Sequence, residues 1–156
     1  MFKRAIILMM CLIFTSITSA ADMKSKIEEW KTDEGARVLF IDAPEIPMVD
    51  IIIAIDAGSF RENKAYGLAG MTANIMTLGT INKDEHQFSE ALENLGSSIS
   101  VSANATSTIF NIRSLTDQTI LENTLKLWKE MITEPRFDDK VFNRERIQSI
   151  DAQKAK

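Results

Sequence analysis

The sequence predicts an α+β fold in which a mostly antiparallel sheet packs against helices. Three observations point there. Short β-branched runs bounded by turn residues occur near the front and again in the middle of the chain. Apolar residues recur at helical spacing between those runs and after them. The resulting order is hairpin, strand, two helices, two strands, two helices, a pattern of segregated rather than strictly alternating elements.

The elements follow in turn. "KIEEWKT" and "ARVLFIDA" read as strands joined by "DEG", a hairpin turn. "PEIP" breaks the chain, and "MVDIIIAIDAG" is a long β-branched run typical of a buried strand. "GLAGMTANIMTLGT", residues 67–80, reads as a loop entering an amphipathic helix that closes on a glycine turn. Leu68, Met71, Ile75 and Leu78 have the i, i+3, i+7, i+10 spacing of a core stripe, while Gly70, Ala73, Asn74 and Thr77 form a face of small or uncharged side chains. Glycine inside a helix costs about 0.5–1 kcal/mol relative to alanine, so Gly70 does not serve helix stability.

"NKDEHQFSEALENLG" is a second helix, with Asn82 and Glu85 at capping-box spacing and Gly96 where a C-terminal glycine belongs. Two strands follow, "SSISVSA" and "TSTIFNIRSL". Residues 117–134 form a third helix with Leu121, Leu125, Trp128 and Ile132 on one face, stopped by Pro135. A fourth helix starts near Asp138 and runs to the chain end with nothing after it to pack against, which leads us to expect the front part of a longer protein.

The chain has 156 residues, 45% hydrophobic and 26% charged, enough for one core. Residues 1–20, "MFKRAIILMMCLIFTSITSA", combine Lys3 and Arg4, an apolar run and a small-residue exit, the pattern of a cleavable export signal. The apolar run from Ala5 to Phe14 is well short of the roughly 20 residues that span a bilayer. Residues 21–156 then form the mature domain. Loss of Lys3 and Arg4 leaves 16 basic against 22 acidic residues, a net charge of −6. Such a balance argues against nucleic acid or an anionic membrane surface as partner. The single cysteine, Cys11, falls in the signal, so the mature chain has no thiol. Lipidation at Cys11 is disfavoured by the bulky Met10 before it.

Chemistry-bearing residues are few. The only histidine, His86, stands beside Asp84 and Glu85, but consecutive residues point around a helix rather than at one centre. Acidic residues at a helix N-terminus explain them better. With no mature cysteine and no histidine base apart from His86, a nucleophilic site lacks its parts. The serines of "GSSISVSANATST" read as the outward face of alternating strands.

The run "IDAGSFRENKAYGLAGMTANIMTLGT" resembles the signature region of the M16 (pitrilysin-like) metallopeptidases, where Gly-Ser-x-x-Glu precedes Gly-x-Ala-His-x-x-Glu-His and a Gly-Thr turn. Gly58, Ser59 and Glu62 match the first part, Gly67 and Ala69 the second, Gly79 and Thr80 the last. The likeness continues through "FSEALENLGSSISVSA" and "LWKEMITEPRFDDKVFNRER", roughly residues 36 to 152. His-x-x-Glu-His holds zinc because two histidines four residues apart share a helical face while the glutamate activates water. Here the resemblance puts Gly70 and Asn74 at the histidine positions and Ala73 at the general-base position. The third ligand of the family lies seven residues beyond a glutamate matching Glu145, which falls on Ala152 with Asp151 beside it.

The resemblance thus implies an exported, catalytically inactive subunit, in the bacterial periplasm, without zinc or other cofactor of its own. Its implied partner is a zinc-bearing M16 homologue in a heterodimer that degrades peptides, to which this chain contributes substrate binding and chamber closure. An Arg-Tyr pair far downstream often serves binding in such subunits, beyond the region seen here. Members also pair an extended peptide with an edge strand, here Ser100, Val101, Ser102 and Ala103 within about residues 98–103. The family prefers Asn-Ala where this chain has Ser100-Val101. The alternatives are a structural or assembly subunit, as in respiratory complexes sharing the fold, or a peptide-binding subunit without a protease partner.

Overall fold

The computed structural model describes residues 27–155, so the expected export signal, Cys11 and Met10 lie outside the described residues. The chain divides into two compact units, residues 1–45 and 46–156. In the first, β1 (Ile27–Lys31) and β2 (Arg37–Ile41) form the expected antiparallel hairpin, with Ile27 opposite Ile41 and Lys31 opposite Arg37. Its turn closes through the Thr32 N–H, which donates to the Ala36 carbonyl at 2.9 Å.

The second unit carries a three-stranded antiparallel sheet in the order β3-β5-β4, built from β3 (Met48–Ile55), β4 (Ser98–Ala103) and β5 (Thr108–Leu115). Around it stand α1 (Leu68–Met76), α2 (Glu85–Asn94), α3 (Gln118–Thr133) and α4 (Asp139–Lys154). Alternation along the central strand separates the two faces of the sheet. Phe110, Ile112 and Ser114 are buried under helices, while Asn111 and Arg113 are exposed on the other face. Phe88, Phe110, Leu127 and Met131 make the core, with Ile53, Leu92, Ile99 and Val101 packed against it. Trp128 meets Phe110 edge-on, ring centroids 6.5 Å apart, a favoured aromatic geometry.

Four local expectations are corrected. The β-branched run is not a strand buried on both faces: β3 lies at one edge of the three-stranded sheet and alternates, with Ile52 69% exposed. The capping box of α2 is Asp84 with Gln87, not Asn82 with Glu85. The Thr80–Lys83 bridge turns the chain first, which delays the helix start, and the Asn82 amide is spent on Glu130 and Glu134. The buried stripe of α3 is Thr124, Leu127 and Met131, and the expected Leu121, Leu125, Trp128 and Ile132 flank it half-buried. On a helix this is a rotation of one residue, about 100°. In α1 the expected stripe also shifts: Leu68 is 56% exposed, whereas Ala73 from the small-residue face is 3% exposed. That helix contacts β4, α4 and the short 3-10 turn Ser59–Arg61, so more than one of its sides is covered.

Candidate functional site

α1 starts on Gly67, which has no side chain to cap it; the cap comes from Glu62 instead. Its carboxylate accepts from the Gly67 N–H at 2.8 Å and the Ala69 N–H at 2.6 Å. A carboxylate there satisfies orphan amides and faces the positive end of the helix dipole. Just before it, the Ser59 and Phe60 N–H groups donate to the Asn104 and Ala105 carbonyls, both at 2.9 Å. This stitches the entry loop to the β4–β5 turn. Gly58 permits the approach, since a Cβ there would stand 2.4 Å from the Thr106 carbonyl carbon.

In the body of the helix Gly70 and Asn74 are exposed and Ala73 is buried. A Cβ on Gly70 would meet nothing within 4 Å. Gly70 and Ala73 offer no donor atom to a metal. The Asn74 amide is already committed: its Nδ2 donates to Glu145 Oε2 on α4 at 2.8 Å. Glu145 also accepts from Arg144 Nε at 2.9 Å, and the terminal nitrogens of Arg144 reach both oxygens of Glu85 at 2.9 and 3.0 Å. The Asn74 hydrogen bond, helped by Arg144, holds the Glu145 carboxyl below its ordinary range against the opposing effect of burial. Glu85 and Glu145 in turn raise the Arg144 guanidinium.

At the exit of α1 the chain turns through Gly79, whose φ of +122° is left-handed backbone that side chains avoid. Thr80, wholly buried, donates its hydroxyl to Glu130 Oε1 at 2.6 Å. Glu130 accepts further from Asn82 Nδ2 at 3.1 Å and from Lys83 Nζ at 2.9 Å. Burial pushes the Glu130 carboxyl up, but the bonds from Thr80, Lys83 and Asn82 outweigh it and leave the group below its ordinary range.

The remaining sequence-derived positions are dispersed. His86 is 86% exposed, with Glu90 at 3.8 Å, while Asp84 caps the helix and Glu85 pairs with Arg144. Asp151 and Ala152 are exposed near the end of α4, Asp151 lying 3.7 Å from Lys154 Nζ. Among the described residues no group of three or more His, Cys, Asp or Glu side chains is arranged to hold a metal ion. The residues at the assigned positions do not fit zinc, since Gly70 and Ala73 carry no donor atom and Asn74 bonds Glu145. β4 pairs only with β5 among the described strands, and along it Ser100 and Ser102 point outward while Val101 and Ala103 are half-buried. Ser97, by contrast, turns inward to Thr124 at 2.6 Å and Ser114 at 3.3 Å. The Asn74–Glu145 and Thr80–Glu130 contacts were missed by sequence reasoning, although Glu145 stood out in the resemblance.

A sequence profile of the insulinase family (peptidase family M16) matches residues 37–156. The chain belongs to that family. No curated protein matches the sequence. Among solved structures, a peptidase M16 inactive domain from Pseudomonas fluorescens is 32% identical at a TM-score of 0.74, over 79% of this M16 chain and 30% of that one. A protease from Helicobacter pylori is 19% identical at a TM-score of 0.67, over 83% and 31% of the two chains. A mutant of the ferredoxin protease FusC, in complex with Arabidopsis ferredoxin, is 24% identical at a TM-score of 0.70, over 89% and 15%. These last two likenesses show the M16 fold alone. The chain spans 15–31% of the length of the three structures.

Proposed function

We propose that this chain is an exported, non-catalytic M16 subunit, periplasmic in location, that works beside a zinc-bearing homologue in peptide degradation. The observation that carries the reading is the chemistry of α1. The positions that hold zinc and activate water in active members are Gly70, Ala73 and Asn74, and the one polar side chain among them is spent on Glu145. Its 32% identity to a domain described as inactive supports the same reading.

The retained contribution is substrate binding and chamber closure. β4, unpaired on one side among the described residues, can take an extended peptide through backbone hydrogen bonds that need no metal. Ser100, Val101, Ser102 and Ala103 then lie alongside the peptide, with small outward hydroxyls on Ser100 and Ser102 that leave its side chains room.

The test is a reconstitution. The full chain, dialysed and submitted to elemental analysis, should carry far less than one zinc per molecule. It should leave unstructured peptides intact when alone and support their cleavage when mixed with an intact homologue from the same genome. Chelator-insensitive hydrolysis by the purified chain, or one tightly held zinc, overturns the proposal.

A further inference from the structure

Three helices are linked through Glu145 and its neighbour Arg144. Asn74 reaches it from α1 and Arg144 from the preceding residue on α4, while the same Arg144 carries Glu85, the first residue of α2. The Asn74 link joins residues 71 apart in sequence and the Arg144–Glu85 link residues 59 apart. A metal bound by side chains of two helices cross-links them, and an active M16 member gains that cross-link with its zinc. We propose that the Asn74–Glu145 bond, backed by Arg144 and Glu85, is a metal-independent brace that holds α4 on α1 in this chain. The proposal rests on the reading above that the site has no zinc.

The chemistry favours this role over incidental contact. The Glu145 side chain is only 15% exposed, so its charge needs donors, and it has them on both oxygens. A hydrogen bond to a charged acceptor is roughly twice as strong as one between neutral groups. Asparagine at position 74 supplies a donor without a charge, and so couples to the carboxylate while Arg144 supplies the counter-ion.

The test exploits the near-identical shapes of asparagine and aspartate. Asn74→Asp sets a carboxylate against Glu145 and should raise amide hydrogen exchange along α4 by about tenfold while the β5 amides stay unchanged. Pairing it with Glu145→Gln reverses donor and acceptor, since the introduced amide can donate to the introduced carboxylate and still accept from Arg144. Exchange along α4 should then return to within about twofold of the unmodified chain. Exchange unmoved by Asn74→Asp, or unrescued in the paired variant, overturns the brace. Should Asn74→Asp fail to fold, Asn74→Ala with Glu145→Ala provides a double-mutant cycle, and strict additivity in it overturns the brace equally. Zinc content of the unmodified chain tests the functional reading, while exchange in the single and paired variants tests the brace, so the two can fail separately.

Discussion

Thr80 at the exit of α1 and Asn74 in its last turn each send a side-chain donor to a glutamate on a later helix, at 2.6 Å to Glu130 and 2.8 Å to Glu145. Thr80 is wholly buried and its glutamate gathers three donors from one tight turn. Asn74 is exposed, and its neighbour Gly70 faces open space. The Gly79-Thr80 turn keeps the residues that the M16 resemblance assigns to it, while the zinc positions do not. Burial separates Thr80 from the exposed Gly70 and Asn74, though not from Ala73, which is itself buried. A residue whose loss orphans buried polar groups is held by the fold, whereas an exposed face can exchange its side chains at little structural cost.

The sharpest test of that contrast is Glu130→Ala, which strands the Thr80 hydroxyl and the Lys83 ammonium. Urea unfolding should show a loss of about 2–3 kcal/mol, and a loss no larger than that of Asn74→Ala would break the comparison. Gly79→Ala should cost about 1–3 kcal/mol. It forces a side chain into left-handed backbone and puts a Cβ 2.8 Å from the Lys83 carbonyl oxygen. Thermal unfolding of the variant checks it.

Acid should erase the Glu130 contribution. Its carboxyl is lowered in the fold relative to the ordinary value of 4.5, so the stability it lends is full above that value and is lost as pH falls through the folded one. The stability gap between the natural chain and Glu130→Gln should therefore narrow on acidification below about 4.5. A gap that stays constant from neutral pH into acid contradicts the assignment. The smallest effect carries the opposite sign. Gly70→Ala should stabilise by about 0.5–1 kcal/mol, because the added methyl meets nothing and the helix loses a flexible residue. A destabilised variant would mean that the exposed face is as constrained as the turn.

Much of this was legible in the sequence. The element order, the hairpin, the start of the last helix near Asp138 and the C-terminal Gly96 all followed from local signals, as did the exposed His86. Local signals fail where partners are distant. Asn82, Asp84 and Glu85 are all chemically able to open α2, and the choice falls to Asp84 because Glu130 claims Asn82 and Arg144 claims Glu85. Likewise a run such as "DIIIAI" does not reveal whether one or two of its sides are covered, which is why β3 alternates where continuous burial was expected. At the site, Gly70, Ala73 and Asn74 were assigned from the M16 resemblance alone. The partner of Asn74 was not, because periodicity carries no information across 71 residues.

The Glu62 cap carries a consequence for how the chain is made. It spans only five and seven residues, whereas the Thr80–Glu130 and Asn74–Glu145 contacts span 50 and 71. Closing a short loop costs little entropy and can happen early; the longer ones must wait for chain not yet synthesised. On a growing polypeptide the amino end of α1 is complete once residue 69 has emerged, its exit is anchored only after residue 130, and its last turn, at Asn74, only after residue 145. The helix thus acquires its fastenings out of sequence, with the Glu62 cap and the Thr80 anchor on either side secured before Asn74, which is the last to be tied down.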